Sequence, residues 1–262
     1  MPTIVVQTHN LWGDAWASER SEALRSLYQR RAPDLLAAQE LRGWSRDLLD
    51  AAMPHHKRVH DDFSGWEGQS NLWWDARMFD AIEHGAADVG ILAEGARLFW
   101  VRLRHLPSGA NLLWSTAHLT WPGHDVEQED GVNLRVPQAR RIVEELDRLG
   151  ESHEAVFFTV DINDIAGANW ALGNAGFLDS FSALGRHSPV THPVIPSGFA
   201  EEVGTRLSPL ASPPKAIDWI FSRGPVRARA SEVVEYFHRG VAPSDHYPVA
   251  ATVDVDAPAD KP

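Results

Sequence analysis

Four apolar, strand-like runs in this chain each end on one polar or ionisable residue. The end residues are Asn10, Glu40, His118 and Asp161, and the runs before them span 3–9, 35–39, 111–117 and 155–160. One such placement arises easily by chance, whereas four of the same kind do not. Because α/β proteins build their sites on loops and strand ends at a sheet edge, the pattern predicts a site assembled from residues far apart in sequence.

Helical segments alternate with these strands. Residues 18–31 carry an apolar stripe at helical spacing, and Pro33 follows as a stop signal. Residues 137–149 begin on Pro137, which suits the first turn of a helix, and they also repeat apolar residues at helical spacing. The alternation of the two periodicities favours an α/β fold over an all-β or an all-α fold.

Further elements extend the pattern along the chain. We predict another helix at 44–53, and strands at 70–74, 78–84, 98–105, 216–222 and 248–255. The sequence shows no internal repeat and no linker. It therefore predicts one domain over residues 1–256, followed by a disordered tail at 257–262 that is rich in Pro, Ala and Asp.

Composition excludes several kinds of chemistry. Cysteine is absent from the 262 residues, which excludes disulfides, thiolate nucleophiles and cysteine-based zinc sites. The net charge of −12 argues against a protein that coats nucleic acid through bulk positive charge. A carboxylate-lined metal site that acts on phosphates stays compatible with this charge, because a bound cation reverses the local field.

The sequence gives no sign of a membrane segment. No stretch approaches the roughly 18 consecutive apolar residues of a membrane-spanning helix. The first residues, MPTIVVQ, lack the basic start of a secretory signal peptide. We therefore expect a cytoplasmic protein.

Two short motifs place polar side chains close together. Asp161 and Asn163 are two residues apart, so in extended chain they point to one side and suit a hard cation with a phosphate oxygen. An Asx turn that ends the strand is the structural alternative. Asp245 and His246 are adjacent and suit metal coordination or general base catalysis, or they form a polar turn before the last strand.

Three further residues have both a functional and a structural interpretation. Asp218 lies within the apolar run AIDWIF, where a carboxylate is costly unless it is paired. A histidine partner would satisfy it, and an edge strand with Asp218 in solvent is the alternative. Glu40 suits a metal ligand or a loop start, and Asn10 has the same ambiguity.

In combination these motifs resemble the endonuclease/exonuclease/phosphatase (DNase I-like) superfamily, over nearly the whole chain from Val5 to Val255. The matching segments are THNLWG (8–13), LAAQE (36–40), STAHL (115–119), VDIN (160–163), GFLD (176–179), IDWIF (217–221) and PSDHYP (243–248). Arg135 and Gln138 fit the Arg-x-x-Gln at the start of the next helix. Val160 departs from the pattern, because the family usually has glycine before this aspartate.

The resemblance implies a fold and a cofactor. The fold is an α/β (α+β) four-layer sandwich, in which two packed mixed β-sheets are flanked by helices. The cofactor is Mg²⁺ or Mn²⁺. Glu40 would be the main metal ligand, helped by Asn10 and Asp245. Carboxylate and amide oxygens favour these hard cations over zinc.

The resemblance also implies five catalytic residues, namely His118, Asp161, Asn163, Asp218 and His246. Asp161 would orient or deprotonate the attacking water, and Asn163 would hold a phosphate oxygen. His246, oriented by Asp218, would contact the phosphate or act as the base. His118 would bind the scissile phosphate or protonate the leaving group.

Function and substrate follow less directly. We expect a metal-dependent phosphoester hydrolase of the phosphodiesterase or nuclease type. The alternatives are a small-molecule phosphomonoesterase of the same fold and a catalytically silent binding module. A tryptophan-rich carbohydrate-binding sandwich is disfavoured by the two helices.

Asn71, Trp121 and Arg135 are the predicted substrate-binding residues, and the substrate is a nucleic acid or a small phosphoester. Trp12, Trp44 and Trp66 also lie near motif loops, where an aromatic ring can stack on a base. Oligomeric state stays open.

Overall fold

The computed structural model describes residues 3–194 and 213–255. The described part of the chain forms strands and helices that alternate over most of its length, and a short 3₁₀ turn at Ser182–Leu184. In chain order these strands and α-helices are β1 (Thr3–Asn10), α1 (Ala17–Arg30), β2 (Leu35–Gln39), α2 (Gly43–Ala52), β3 (His56–Arg58), α3 (Gly65–Gly68), β4 (Ser70–Asp75), β5 (Phe79–Ala87), β6 (Leu98–His105), β7 (Asn111–His118), α4 (Asp125–Asp130), α5 (Arg135–Leu149), β8 (Ala155–Asp161), α6 (Gly167–Asn174), β9 (Leu178–Asp179), β10 (Asp218–Arg223), β11 (Val226–Val233) and β12 (Val249–Val255).

The strands form two six-stranded mixed sheets. The first has the order β11-β12-β1-β2-β4-β3, and the second has the order β5-β6-β7-β8-β10-β9. Each sheet has a parallel pair at its centre, β1 with β2 and β7 with β8, and its other described pairs are antiparallel. Parallel neighbours require a crossover connection. Helix α1 supplies it in the first sheet, and α4 with α5 supplies it in the second.

The inner faces of the two sheets pack against each other. Alternation along β7 illustrates the reason, because successive side chains of a strand point to opposite faces. Leu112 and Trp114 point into the core between the sheets, while Leu113 and Ala117 face the other side. Trp114 is completely buried there. Each apolar side chain removed from water contributes roughly 1.5–3 kcal/mol to folding, so this inter-sheet core is a main source of stability.

Helices cover both outer faces. Helices α1 and α2 pack on the first sheet, and α5 and α6 pack on the second. In α5, Ile142 and Leu146 lie four residues apart on one face and are buried against the sheet with Phe158. The predicted four-layer sandwich is therefore confirmed. No helix of the described chain is both long and apolar enough to cross a bilayer.

Some elements match the sequence prediction and others differ from it. The predicted strands at 35–39 and 98–105 coincide with β2 and β6. Strands β3, β9 and β11 and helices α3, α4 and α6 were not predicted. Strand β11 is an edge strand with exposed arginines, so its sequence lacks an apolar run. The predicted tail at 257–262 lies outside the described residues.

Candidate active site

Strand register brings together three of the predicted residues. His118 lies opposite Asp161 across the parallel pair β7–β8, and Asp161 lies opposite Asp218 across the antiparallel pair β8–β10. The three residues therefore form a row at one edge of the second sheet, although 100 residues separate the first from the last in sequence. Asp161 and Asp218 are fully buried, and His118 is partly exposed.

The first sheet contributes Asn10 and Glu40 at the same edge of the sandwich. The Asn10 side-chain nitrogen donates to Glu40 Oε1 at 3.0 Å and to Asp161 Oδ2 at 2.8 Å, so it links the two sheets. Its side-chain oxygen accepts from the backbone N–H of Trp12 at 2.9 Å. The oxygen that a metal ion would use is thus engaged with the backbone. Asn10 therefore positions two carboxylates, and since an amide oxygen has two lone pairs, its role as a metal ligand stays a prediction.

The backbone is strained where these side chains enter the cleft. Trp12, Glu40 and Asn163 have φ values of 59°, 51° and 51°, in the left-handed region that non-glycine residues seldom adopt. Such a conformation costs roughly 1–3 kcal/mol per residue and persists only where surrounding contacts hold it. Local hydrogen bonds do so here, because Asp161 Oδ1 accepts from the backbone N–H of Asn163 at 3.1 Å.

Asp218 holds His246. Its two carboxylate oxygens lie 2.9 and 3.1 Å from His246 Nδ1, and both side chains are buried. Burial alone would lower the pKa of His246, but the carboxylates of Asp218, Asp245 and Asp161 outweigh it and raise that pKa well above its usual 6.5. Ser244 fixes the loop that precedes His246, because the Ser244 hydroxyl donates to the Asn10 carbonyl at 2.7 Å.

Asp161 lies at the centre of the cluster. Burial and the nearby Asp218 carboxylate raise its pKa, and His118 and His246 partly offset this. The His118 Nε2 atom lies 3.5 Å from Asp161 Oδ2 and 3.9 Å from Glu40 Oε1. A buried carboxylate with a raised pKa is a stronger proton acceptor than one in water.

Asn163 orients His118. Its side-chain nitrogen donates to His118 Nε2 at 3.0 Å and to the Leu119 carbonyl at 3.1 Å. Because Nε2 accepts, His118 carries its proton on Nδ1 in this arrangement. Both amide hydrogens of Asn163 are used in these bonds. The structure therefore gives Asn163 a positioning contact with His118 and leaves no amide hydrogen for a phosphate oxygen.

The cluster opens into a cleft of about 360 Å³. The cleft is lined by Trp12, Glu40, His118, Trp121, Asp161, Asn163, His192, Lys215, Ile217, Asp245 and His246. Trp121 is 57% exposed at its rim. Sequence reasoning missed His192 and Lys215, because neither lies at the end of an apolar strand. Thr191 ties this segment to the start of β10, because its hydroxyl accepts from the backbone N–H groups of Ile217 and Asp218 at 3.0 and 3.2 Å, and no sequence pattern marks this contact.

Two predicted substrate-binding residues do not line this cleft. Asn71 is fully buried, and its side-chain nitrogen donates to the carbonyls of Val59 and Trp66. Arg135 is buried as well and donates to the Thr120 carbonyl and to Glu127. Both side chains are occupied in holding loops, so the structure gives them no contact with the cleft. Trp66, predicted near a motif loop, belongs to the inter-sheet core.

A buried arginine supports the cleft from behind. Arg20 in α1 is completely buried and donates to the carbonyls of Trp12, Gly13 and Pro243. Its guanidinium also lies 4.9 Å from the centre of the Trp44 ring. Burial lowers the pKa of Arg20 to about 10, which leaves it charged at neutral pH. Arg20 thus joins the loops that carry Trp12 and Asp245, and no sequence pattern marks this arginine.

The donor atoms fit a hard divalent cation. Glu40 and Asp245 line the cleft with side chains 31% and 24% exposed. Among the described residues, Glu40 Oε2 accepts no hydrogen bond, which leaves this oxygen for a cation. Potential ligand atoms of His192, Asp245 and His246 also lie within 4.8 Å of one another. The carboxylates of Glu40 and Asp245 are ligands that Mg²⁺ and Mn²⁺ prefer, whereas the imidazoles of His192 and His246 also suit transition metals such as zinc.

Solved structures of similar fold were found, although no protein-family model and no curated protein matches the chain. A humanized D. rerio TDP2 with 14 mutations is 20% identical, with a TM-score of 0.74 and coverage of 97% of this chain and 99% of that one. An endonuclease/exonuclease/phosphatase from Bacteroides vulgatus is 14% identical, with a TM-score of 0.76 and coverage of 98% and 100%. A mannosyl-6-phosphatase from Bacteroides thetaiotaomicron is 16% identical, with a TM-score of 0.73 and coverage of 96% and 99%.

Proposed function

We propose that this chain, which has the fold of the endonuclease/exonuclease/phosphatase proteins, is a divalent-cation-dependent phosphoesterase that hydrolyses phosphodiesters. One observation carries the proposal. A single cleft unites the Asp218–His246 pair with Asp161, and Asn10 ties Asp161 to Glu40 across the two sheets. Paired carboxylates beside an oriented imidazole are the groups that metal-assisted hydrolysis of a phosphate ester needs.

Glu40 and Asp245 are the residues that would hold the cation. When bound, a divalent cation neutralises negative charge that develops on the phosphoryl oxygens. The carboxylates on the described cleft wall outnumber the cations close to them, so a bound cation would also relieve repulsion among them. This requirement explains why a chain of net charge −12 is compatible with an anionic substrate.

Asp161 and His246 have complementary proton roles in this proposal. Asp161, with its raised pKa, accepts the proton of the attacking water. His246 has a pKa raised well above 6.5, so it stays protonated near neutral pH and donates to a phosphoryl oxygen. Asp218 fixes the imidazole ring so that Nδ1 points inward. A buried carboxylate with a raised pKa suits the role of general base, and an imidazole with a raised pKa suits the role of general acid.

His118 completes the phosphate contacts. Asn163 sets its tautomer, which leaves Nδ1–H as the donor. Among the described residues this nitrogen has no hydrogen-bond partner, and the ring lines the cleft. An imidazole N–H that donates to a phosphoryl oxygen or to the leaving oxygen stabilises the negative charge that develops there.

The open cleft with tryptophans at its rim supports a diester. Trp12 and Trp121 line the cleft near the charged cluster, where an aromatic face can stack on a base or on another planar group. A D. rerio TDP2 of the same fold, 18% identical, was solved with a single-strand DNA product. The similar fold of a mannosyl-6-phosphatase makes phosphomonoester hydrolysis the second candidate.

Turnover of matched chromogenic esters tests the proposal. The purified protein is incubated with Mg²⁺ or Mn²⁺ and with bis-p-nitrophenyl phosphate or p-nitrophenyl phosphate, and short single-stranded DNA and RNA serve as polymer substrates. We expect the diester to be hydrolysed faster than the monoester, and EDTA to stop both reactions. Faster turnover of the monoester would favour the second candidate. Ligand binding without turnover of any ester would favour a binding module.

A further inference from the structure

We propose that His192 and Lys215 form a second anion-binding subsite in the cleft, which takes a second phosphate group of the substrate next to the phosphate that is cleaved. This inference rests on the proposed function and narrows its substrate class. It predicts a phosphodiester that carries an additional phosphate monoester close to the scissile bond. Lys215 has no role in the hydrolytic cluster described above, and His192 borders that cluster through Asp245 and His246.

The backbone places the two residues side by side. Lys215 N–H donates to the His192 carbonyl at 2.8 Å, and His192 N–H donates to the Lys215 carbonyl at 3.0 Å. Residues that exchange both hydrogen bonds in an antiparallel bridge project their side chains to the same side. Both residues line the cleft. The bridge therefore presents an imidazole and an ammonium group together on one wall.

The same wall is fixed to the catalytic loop. Val194 N–H donates to the Asp245 carbonyl at 2.9 Å, and Tyr247 N–H donates to the Thr191 carbonyl at 2.8 Å. The rings of His192 and His246 lie 4.5 Å apart, centre to centre. A group held by His192 would thus lie within a few ångströms of a phosphate held by His246. This spacing suits two phosphates of one small ligand.

Within the described part of the chain, the Lys215 ammonium has no partner to neutralise it. Among the residues that the structure describes, its side chain makes no ion pair and no hydrogen bond, although Glu40, Asp161 and Asp245 line the same cleft. An unpaired ammonium offers three donors and a full charge to an incoming anion, which makes lysine a common phosphate ligand. Arg20, by comparison, is saturated by backbone carbonyls.

His192 supplies direction to the subsite. Its Nε2 atom lies 3.6 Å from Asp245 Oδ2, and its ring is 18% exposed. The contact with Asp245 holds the ring against the wall of the cleft, while Lys215 provides the charge. Lys215 thus supplies the ammonium donor that a phosphate group takes in proteins, and the ring of His192, held by Asp245, forms the wall beside it.

A matched pair of substrates tests the subsite. The 5′-p-nitrophenyl phosphate of thymidine is compared with the same diester carrying a 3′-phosphate, and kcat/KM is measured for each. One charge-assisted hydrogen bond is worth about tenfold or more in affinity, so wild type should prefer the 3′-phosphorylated diester by at least that factor. Lys215→Ala should reduce the preference to about threefold or less, and His192→Ala should reduce it in part. Lys57→Ala removes a surface lysine on an edge strand and should keep the full preference.

Binding separates failure of the subsite from failure of the proposed function. Thermal unfolding is followed with thymidine 5′-phosphate and with thymidine 3′,5′-bisphosphate. Wild type should gain a larger rise in Tm from the bisphosphate, and Lys215→Ala should lose that difference. If neither diester is hydrolysed but this difference holds, the proposed function fails and the subsite stands. The subsite is overturned if wild type has nearly the same kcat/KM for the two diesters. It is also overturned if Lys215→Ala keeps the full wild-type preference for the 3′-phosphorylated diester.

Discussion

Asp218 faces Nδ1 of His246 through both carboxylate oxygens, at 2.9 and 3.1 Å. The aspartate is completely buried at the start of β10, so the histidine is its compensating partner. A buried charge without a partner destabilises a fold by several kcal/mol. The pair explains how the apolar run AIDWIF tolerates a carboxylate, and it makes the orientation of His246 depend on one side chain.

Replacement of the carboxylate tests this dependence. Asp218→Asn keeps the shape of the side chain but removes the charge that raises the pKa of His246. We expect that pKa, followed by NMR of the imidazole, to fall toward 6.5. We also expect kcat/KM on bis-p-nitrophenyl phosphate to fall by about a hundredfold or more, the usual scale for a positioned acid or base. Asp147→Asn, which removes an exposed partner of Arg223, is the control. A loss below threefold in Asp218→Asn would contradict the assignment.

The bridge between the sheets makes a second prediction. Asn10→Asp places a third carboxylate against Glu40 and Asp161, where the amide now donates to both. Like charges at this distance repel, so Tm of the metal-free protein should fall. Millimolar Mg²⁺ should then raise Tm of the variant by more than it raises Tm of wild type, because a ligand stabilises the state that it binds. The exposed Asn174→Asp is the matched control. An equal Mg²⁺ response in both proteins would argue against a cation at these carboxylates.

Arg20 predicts a stability effect. Arg20→Met removes the donors to the Trp12, Gly13 and Pro243 carbonyls and leaves them buried. Each unsatisfied buried group costs roughly 1–3 kcal/mol, so we expect a loss of about 3 kcal/mol or more in the free energy of unfolding. Arg25→Met, five residues further along α1, removes only an exposed pair with Glu22, and should change stability by less than about 0.5 kcal/mol. Urea unfolding measures both, and equal losses would show that burial of Arg20 is not the cause.

Acid should destabilise the fold through His9. Burial lowers the pKa of His9 from 6.5 to about 3, and its Nδ1 lies 2.9 Å from the Tyr28 hydroxyl. The unfolded chain therefore takes up this proton first as pH falls. The contribution of His9 to the free energy of unfolding is complete above pH 6.5 and is lost as pH falls from 6.5 toward 3. At pH 5 the loss is about 2 kcal/mol.

A comparison of pH profiles isolates this contribution. His9→Gln should flatten the change in the free energy of unfolding between pH 7 and pH 5 by about that 2 kcal/mol. The exposed His60→Gln should leave the profile as in wild type. Parallel profiles for His9→Gln and wild type would exclude His9 as the acid-sensitive group.

The fold was predictable where local pattern and burial agree. Strand β2 is apolar from Leu35 to Ala38 and lies between Pro33 and Glu40, so its limits follow from sequence. Strand β11 was missed because an edge strand needs no continuous apolar run, and its exposed arginines hide it. Helix α6 was missed because Gly167 and Gly173 lower helix propensity, and packing against α5 compensates.

The site was predictable only in its strand-end members. Register explains the grouping of His118, Asp161 and Asp218, which sequence alone could suggest only through the family resemblance. Sequence alone does not give the direction of hydrogen bonds, and here it adds a positioning contact between Asn10 and two carboxylates. Likewise, no periodicity marks His192, which enters the cleft from an isolated bridge.

Metal-dependent hydrolysis at Asp161 is the central claim of the proposed function. The rate of p-nitrophenol release from bis-p-nitrophenyl phosphate should be measured for wild type and Asp161→Asn, with EDTA and after excess Mg²⁺ is restored. We predict wild-type turnover that stops in EDTA and returns with Mg²⁺, and a rate for Asp161→Asn at least about a hundredfold lower. Turnover that persists in EDTA, or an Asp161→Asn variant as fast as wild type, would contradict the account.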